Sequence, residues 1–580
     1  MRIFVCTSFG ISFMKRFFSI ILLILLLGNL AVLPQKKQKS VSQLPNDEPF
    51  KIAEGTSFSA SRTTPPVSEG KQFSITQDFS EALEIIRKNY VGGNRIDYSE
   101  LTKSSISAML RTLDPHSNYF DAAEYRELLT DQNSEYFGIG ATIANYLKDG
   151  KYETFIISTF PDSPASKANL RFGDKILAVN GENVSGKNSS IVRDKIRGAR
   201  GTLARLTIER SDTKLRETIE IRRNRVPQPS IPDAYLLREN IGYIDLSEGF
   251  NYTTFEELDT ALKDLREQGM QSLILDLRGN PGGILDQAVR VSEKFLPSGT
   301  TIVSQRGRFR IDNRTWKSVN KSAETMPLVV LVDEGSASAS EIVAGALQDY
   351  DRALIVGENT FGKGLVQSVI NLPYGSGLTL TTAKYYTPSG RSIQRDYSNG
   401  NLYDYYLHKV KTDQSARIPS KTITGRTVFG GDGIAPDEPV KATELSPAEI
   451  SLLDPIFFFS SELTSGRIKG FESYRVSNQF QYGQRIGSGV FPISDGLFAA
   501  FRKFVSNERG WNVSEEQIDA EKAFIKSRIR YNLATAGFGS VAANQIFIED
   551  DLQVAKAVEA LPRAKQLALS AQKSLQKQNR

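Results

Sequence analysis

The 580-residue sequence has little of what most often builds metal sites and hydrolytic centres: one cysteine and two histidines. With one cysteine the chain needs no disulfide, and without clustered histidines and cysteines it implies no metal and no cofactor. A Ser-His-Asp triad would have to use His116 or His408. We predict that His116 is a turn residue and that His408 lies on the surface. A hydrolase of this composition would therefore need a base other than histidine.

The chain has a small net charge that is not concentrated in one region. The formal net charge is +6, and lysines and arginines are scattered along the sequence without forming a basic stripe. This pattern does not support binding to nucleic acid.

The first 33 residues carry Lys15-Arg16 followed by the apolar run Phe17–Leu27, a pattern typical of an export signal. Residues 1–33 are either a cleaved signal peptide or an anchor retained in the inner membrane. Met14 is an alternative start, which would remove Cys6. Both alternatives place the protein in the periplasm or cell envelope.

One stretch, Leu331–Gln367, suits nucleophilic catalysis. Val329–Val332 is typical of a buried strand, Asp333–Gly335 of a turn, and helical apolar spacing begins at Ser336. A serine at a strand-to-helix turn lies near free N–H groups that favour developing negative charge.

A lysine between two glycines, Gly362-Lys363-Gly364, closes this stretch. A lysine activates a serine when burial lowers its pKa, so we interpret Ser338 as the nucleophile and Lys363 as its base. The alternative is that Ser336, Ser338 and Ser340 are only cap and turn residues.

The same place holds a rival motif. Residues 357–363 satisfy the first seven positions of a phosphate-binding loop, G-x-x-x-x-G-K. The eighth position should be serine or threonine but is Gly364, and the sequence from Leu365 onward alternates like a strand where the motif requires a helix. We therefore do not predict nucleotide binding.

The rest of the chain divides into segments by composition. Residues 34–76 are polar and predict a flexible linker, and residues 77–135 predict a helical region to which we assign no chemistry. Residues 227–445 alternate strands and helices and predict an α/β core. Residues 446–580 predict a helical extension, either a solvated bundle or a surface for an oligomer or adaptor.

Residues 136–226 form a separate unit that begins with Phe137-Gly138-Ile139-Gly140. Together with Pro161–Ala165 and Leu170–Gly181, this pattern resembles a PDZ domain. PDZ domains add a peptide strand to a sheet edge and hold its C-terminal carboxylate in backbone N–H groups. Glycines at 138 and 140 would let the backbone approach a carboxylate closely. A purely structural β-domain is the alternative.

The turn Arg278–Gly283 directly follows the buried strand Ser272–Leu277. Its glycine pair can direct backbone N–H groups toward an oxyanion, a task that a Cβ atom would obstruct. A tight packing turn is the alternative.

These motifs, in this order over about residues 77–445, resemble the C-terminal processing, or tail-specific, serine peptidases. The resemblance implies a mixed α/β, crotonase/ClpP-like core with an inserted PDZ domain. It places the nucleophile at Ser338, the base at Lys363 and a lysine-orienting amide at Gln367. It further implies an oxyanion hole from the region of Gly282 and Gly283 and the N–H of Ala339.

The sequence therefore predicts an exported serine endopeptidase that recognises the free C-termini of protein substrates. The alternative is an inactive PDZ scaffold that binds tails without cleaving them. An acyl-CoA enzyme of the crotonase type would share the core but would need neither the PDZ unit nor Lys363.

Overall fold

The computed structural model describes residues 69–131, 135–238, 240–398, 405–406, 418–476, 485–487, 489–507 and 510–578. The predicted signal or anchor at 1–33, most of the linker and His408 lie outside the described residues. Among the described residues, no helix is both long enough and apolar enough to cross a bilayer.

The helices of the described residues fall into an N-terminal group, two within the PDZ-like unit, three in the core and a C-terminal group. They are α1 (Glu69–Asn89), α2 (Tyr98–Arg111), α3 (Ala122–Asp131), α4 (Pro164–Lys167), α5 (Ser189–Ile196), α6 (Thr254–Glu267), α7 (Leu285–Glu293), α8 (Ala339–Asp349), α9 (Pro447–Thr464), α10 (Asp495–Asn507), α11 (Glu515–Ala520), α12 (Lys522–Phe538), α13 (Ser540–Glu549) and α14 (Leu552–Gln578).

The strands belong to three larger sheets and two small pairs. They are β1 (Asn118–Phe120), β2 (Glu135–Gly138), β3 (Ala141–Lys148), β4 (Lys151–Thr159), β5 (Lys175–Val179), β6 (Glu182–Asn183), β7 (Leu203–Glu209), β8 (Arg216–Arg222), β9 (Asn224–Pro227), β10 (Asp233–Leu236), β11 (Ile241–Asp245), β12 (Ser272–Asp276), β13 (Thr301–Gly307), β14 (Arg314–Lys317), β15 (Leu328–Val332), β16 (Leu354–Gly357), β17 (Leu365–Asn371), β18 (Gly377–Tyr386), β19 (Pro419–Lys421), β20 (Thr427–Phe429) and β21 (Glu438–Pro439).

The core sheet has the strand order β10-β11-β12-β15-β16-β21 and is parallel except for β10 at one edge. The strands β12 and β15 are apolar along nearly their whole length because both faces of the sheet are covered. Alternate residues such as Leu275 and Val330 pack against α6, α7 and α8. Their neighbours Ile274 and Val329 pack against α14. The predicted mixed α/β core is confirmed.

A second sheet joins the N-terminal helical region to the core. Its order is β1-β18-β13-β14, with β17 also paired to β18. β1 follows α2 and lies antiparallel to β18, so that Asn118 is opposite Thr379. This pairing brings the end of the N-terminal region beside β18, the strand that also pairs with β17, which follows Lys363.

The PDZ-like unit is a sheet of order β3-β4-β5-β7-β8, with β6 paired to β5. β3 and β4 form a hairpin through Asp149 and Gly150, which both have positive φ angles, 51° and 73°. That combination suits the tight turn of a two-residue hairpin. The core of the PDZ-like unit is formed by buried aliphatic residues from the strands and from α5.

The terminal regions are helical in their described parts, as predicted. One boundary needs correction, because α1 begins at Glu69 and so includes the last residues assigned to the linker 34–76. In the extension, α9 to α12 share a core of aliphatic and aromatic residues. The long helix α14 leaves this bundle and covers one face of the core sheet.

Candidate active site

Ser338 lies between β15 and α8, at the N-cap position of the helix. Its backbone has φ 56° and ψ −108°, a conformation that residues other than glycine rarely adopt. Strand β15 ends at Val332, and the short turn after it places Ser338 at the N-terminus of α8. Backbone strain of this kind persists where the surrounding structure fixes it and is concentrated at functional sites.

A buried carboxylate, Glu341, holds this serine next to the lysine loop. Its Oε2 atom accepts the N–H of Ser338 at 2.8 Å and the N–H of Lys363 at 2.9 Å. Its Oε1 atom accepts the N–H of Gly362 at 2.8 Å and the hydroxyl of Thr360 at 2.6 Å. A single side chain therefore brings the backbones of Ser338 and Lys363 to one oxygen atom.

Lys363 is half-buried, and the loop around it is tightly held. Burial lowers the pKa of Lys363 below its ordinary value, while the charges of Glu341 and Asp114 act in the opposite direction. The Gly362 carbonyl accepts the N–H of Arg395 at 2.9 Å. A lysine with a lowered pKa has a larger neutral fraction near neutral pH, which a general base requires.

The Ser338 hydroxyl and the Lys363 amine are not hydrogen-bonded to each other in this structure. Catalytic hydrogen bonds are often long in a free enzyme and shorten when substrate binds. The two residues are thus brought together through their backbones, and the last contact between their side chains remains to be made.

The oxyanion region lies directly against the serine. A Cβ atom on Gly282 would be 2.8 Å from Ser338 Cβ, and one on Gly283 would be 2.1 Å from Phe250 O, so side chains are excluded at both positions. The N–H of Gly282 donates to Asn280 Oδ1 at 2.8 Å. Because that N–H already has an acceptor in this structure, Gly283 is the better candidate of the two predicted glycine donors.

The remaining predicted donors are still available. The N–H groups of Gly283 and Ala339 have no acceptor in the part of the chain that the structure describes. Ala339 is the first residue of α8, where free N–H groups and the helix dipole favour negative charge. These two N–H groups are the candidates for binding an oxyanion.

Gln367 lies on β17, four residues after Lys363, next to a β-bulge between Val366 and Gln367. Its Nε2 atom donates to Thr381 Oγ1 on β18 at 3.2 Å. Strand β17 begins at Leu365, shortly after Lys363. A phosphate-binding loop would continue into a helix, so the geometry agrees with the sequence in rejecting nucleotide binding.

The predicted carboxylate loop of the PDZ-like unit lies between β2 and β3. Gly140 has φ 73°, and a Cβ atom there would lie 2.4 Å from Ser163 Cβ. The Gly140 carbonyl accepts the Ser163 hydroxyl at 2.9 Å, and the Ile139 carbonyl accepts the N–H of Ala165 at 2.7 Å. Within the described residues, the N–H groups of Ile139 and Gly140 have no acceptor, although both residues are buried.

Phe137 and Gly138, which precede this loop, end strand β2 and pair with Arg225 and Asn224 of β9. The pairing fixes the direction from which the backbone enters the loop. Unpaired N–H groups on buried residues are rare and favour a site that a ligand completes.

Sequence reasoning missed the residues that hold the site. Glu341 stands three positions after Ser338, and this Ser-x-x-Glu spacing is a signal from which it could have been found. Asp114 and His116, to which we assigned no chemistry, lie near Lys363, and no local signal in the sequence indicates this. The described residues contain no cluster of acidic, histidine or cysteine side chains suited to a metal.

The fold joins a mostly parallel α/β core to a PDZ-type sheet. The sequence profile of peptidase family S41 matches residues 240–404, and that of the PDZ domain matches residues 160–210. These matches indicate a peptidase that carries a PDZ domain.

The carboxy-terminal-processing protease of Bartonella bacilliformis is 39% identical over 54% of this chain and 72% of its own length. The carboxy-terminal processing protease CtpB of Bacillus subtilis is 34% identical over 54% of this chain and 65% of its own length. A solved photosystem II D1 C-terminal processing protease is 27% identical, with a TM-score of 0.32 over 62% of this chain and 92% of that one. The identity with the Bartonella protein over most of its length shows that the chain belongs to the carboxy-terminal processing proteases.

Proposed function

We propose that the protein is a serine endopeptidase in which Ser338 attacks a peptide carbonyl and Lys363 takes the serine proton. The main support for this pairing is that Glu341 Oε2 accepts the N–H groups of both residues, at 2.8 and 2.9 Å. The lowered pKa of Lys363 supports its role as a base. Attack would place negative charge on the former carbonyl oxygen, and the N–H groups of Gly283 and Ala339 are positioned to stabilise it.

In this mechanism Gln367 orients the lysine. Its Nε2 atom is engaged by Thr381, which leaves its Oε1 atom to accept a hydrogen bond from the amine. As the tetrahedral adduct collapses, the peptide C–N bond breaks and protonated Lys363 gives its proton to the leaving amine. The acyl-enzyme on Ser338 is then hydrolysed by water, with the neutral Lys363 again acting as the base. All the proton transfers are carried by one side chain.

Cleavage by wild type, Ser338→Ala and Lys363→Ala tests the proposal. The substrate is a small test protein with an apolar C-terminal tail, and mass spectrometry identifies the cut sites. We expect no cleavage by Ser338→Ala and a loss of about 10²–10⁴-fold in kcat for Lys363→Ala, the usual contribution of a general base. Full activity in either variant would contradict the mechanism. Tail binding without cleavage by the wild type would identify the protein as an inactive scaffold.

We propose further that the PDZ domain selects substrates by their free C-terminus. The unpaired N–H groups of Ile139 and Gly140 support this role, because they can donate to a terminal carboxylate. The same test protein with an amidated C-terminus should bind more weakly and be cut more slowly. Equal cleavage of the two forms would remove the carboxylate from the recognition mechanism.

The protein is proposed to act after export, in the periplasm or attached to the cell envelope. The support is the sequence pattern of Lys15-Arg16 followed by the apolar run Phe17–Leu27. Whether this segment is cleaved or retained as an anchor follows from the N-terminal sequence of the purified protein. We also keep, as a hypothesis, that residues 446–580 contact an adaptor or a second copy of the chain.

A further inference from the structure

The turn Asp114-Pro115-His116-Ser117, called here the 114–117 turn, connects α2 to β1 in the N-terminal helical region. Asp114 and Ser117 are buried. Asp114 Oδ1 accepts the N–H groups of His116 and Ser117, each at 2.8 Å, which closes the turn on its own side chain. The turn is far from the lysine in sequence, but β1 pairs with β18 and brings it to the site.

One chain of hydrogen bonds runs from this turn to Gln367. The Ser117 hydroxyl donates to Asp114 Oδ2 at 2.6 Å and accepts the N–H of Thr381 at 3.0 Å. Thr381 Oγ1 in turn accepts from Gln367 Nε2 at 3.2 Å. The amide proposed to orient the lysine is therefore itself held by a strand that Ser117 fixes.

A second chain runs from the same turn to the lysine loop. His116 Nε2 lies 2.9 Å from the hydroxyl of Tyr405, which also accepts from Gln394 Nε2 at 3.2 Å. Gln394 Oε1 accepts the N–H of Gly364, the residue after Lys363, at 2.8 Å. The Tyr406 hydroxyl adds a hydrogen bond to the Pro115 carbonyl. Gly364 and Gln367, which both follow Lys363, are thus each connected to the 114–117 turn.

The turn also contributes to the charge around the amine. The charged and titratable groups around Lys363 include Glu341 on α8, Asp114 and His116 on the turn, and Arg395, whose N–H donates to the Gly362 carbonyl. Asp114 raises the pKa of Lys363 against the effect of burial. Burial, Lys363 and Arg395 together lower the pKa of His116, so its ring is neutral at neutral pH and adds no repelling charge.

We infer that Asp114, His116 and Ser117 are positioning residues for the proposed serine–lysine pair. They fix Gln367 through Thr381 and fix the Gly362–Gly364 loop through Tyr405 and Gln394. Docking of the N-terminal helical region on β18 therefore adds to the restraint that Glu341 places on the lysine loop. This role rests on the proposed function, since it assumes that Lys363 is the base.

The test compares Ser117→Ala and Asp114→Asn with a matched control, Ser105→Ala. The Ser105 hydroxyl belongs to the same helical region but donates only to the Leu101 carbonyl of its own helix, at 2.9 Å. The assay measures kcat and KM across pH with a quenched fluorescent peptide built on the cut site identified by mass spectrometry. Thermal unfolding and tail binding report the amount of folded protein.

We expect Ser117→Ala to lower kcat by about 10- to 100-fold with little change in KM, since a small misplacement of a catalytic group has an effect of this size. Asp114→Asn preserves the size of the side chain and removes its charge. Without the negative charge of Asp114, the pKa of Lys363 should fall. Because activity needs the neutral amine, the rising limb of the pH profile should then move to lower pH. A purely structural role would not move that limb.

Two outcomes separate this inference from the proposed function. If Lys363→Ala retains activity, the proposed base is wrong and the positioning role falls with it. If Lys363→Ala is inactive while Ser117→Ala and Asp114→Asn behave like Ser105→Ala, only the positioning role is wrong. Should Ser117→Ala fail to fold, the position of the pH limb in Asp114→Asn decides.

Discussion

At the scale of single residues, the candidate site combines two features that carry a free-energy cost. Ser338 has a positive φ angle without being a glycine, and the Lys363 amine is withdrawn from water. Each is unfavourable for folding, by of order 1–3 kcal/mol for a strained backbone of this kind. The four hydrogen bonds accepted by Glu341 oppose both by fixing the serine turn and the lysine loop together. The geometry of the site therefore depends on Glu341.

The cost of the buried amine predicts how Lys363→Met changes stability. The pKa of Lys363 in the folded protein lies below its ordinary value of 10.5, so between these two values the unfolded chain binds a proton that the folded chain does not. Wild-type stability therefore rises with pH through this window. Replacing the amine with an apolar side chain should raise the melting temperature by a few degrees at neutral pH. The gain should shrink as the pH approaches 10.

Thermal unfolding of both proteins over a pH series measures this effect. Lys151→Met serves as the control, because Lys151 is exposed on the β3–β4 hairpin. Its difference from wild type should stay small at every pH. A Lys363→Met variant less stable than wild type at neutral pH would contradict the burial cost.

The residue types of the site could be predicted from the sequence, whereas the contacts that hold them could not. A serine in a strand-to-helix turn and a lysine between glycines are local patterns, readable over a few positions. The contact of Ser117 with Thr381 joins residues 264 positions apart, and only the pairing of β1 with β18 creates it. The same limit applies to Gly282, whose N–H is occupied by the side chain of Asn280.

At the scale of elements, helix α14 completes the core. Ala557, Ala560 and Leu561 pack against the face of the sheet formed by Ile274, Val329 and their neighbours. The apolar runs of β12 and β15 predicted strands buried on both faces, but the sequence did not indicate which element covers the second face. A charged, partly apolar helix that begins only at Leu552 is a non-local partner of both strands, so periodicity alone cannot assign it.

We predict that Leu561→Ala destabilises the core, while Leu569→Ala on the same helix does not. Leu561 is 6% exposed and packs against the sheet, whereas Leu569 is 45% exposed. Removing a buried leucine side chain costs about 2–5 kcal/mol of the free energy of unfolding, and an exposed one far less. Chemical denaturation followed by circular dichroism measures both. Equal destabilisation by the two changes would show that α14 does not pack in this way.

The start of α14 also connects to the oxyanion region. The buried Arg278, at the end of β12, forms ion pairs with Asp276 and with Asp551, each at 2.7 Å. Arg278 Nη1 also donates to Gln553 Oε1 at 2.7 Å. These contacts fix the first residue of the turn that leads to Gly282 and Gly283. The extension thus supports the segment that carries the proposed oxyanion donor.

At the scale of the whole molecule, the C-terminal extension connects the PDZ domain to the core. Phe457 on α9 stacks on Tyr146 of β3 with ring centroids 3.6 Å apart, and it also contacts the rings of Phe155 and Phe172. The N–H of Leu147 donates to Asp454 Oδ1 at 3.1 Å. We predicted a helical extension with a solvated bundle or a docking surface as its role. Its observed packing against two domains required tertiary contacts that helical periodicity does not encode.

This packing predicts that Phe457→Ala loosens the PDZ domain without unfolding the core. The ring fills a site lined by aromatic side chains of both units, and its removal costs about 3–5 kcal/mol of packing free energy. Hydrogen exchange should become faster in β3 and β4 and remain slow in β12 and β15. Phe498→Ala is the matched control, since Phe498 packs within the extension's own core, so its effect should appear first in α10 and not in β3. Unchanged exchange in β3 and β4 of Phe457→Ala would mean that the extension does not restrain the domain. Because β3 directly follows the loop whose N–H groups we propose to bind the terminal carboxylate, looser packing there should raise KM more than it lowers kcat.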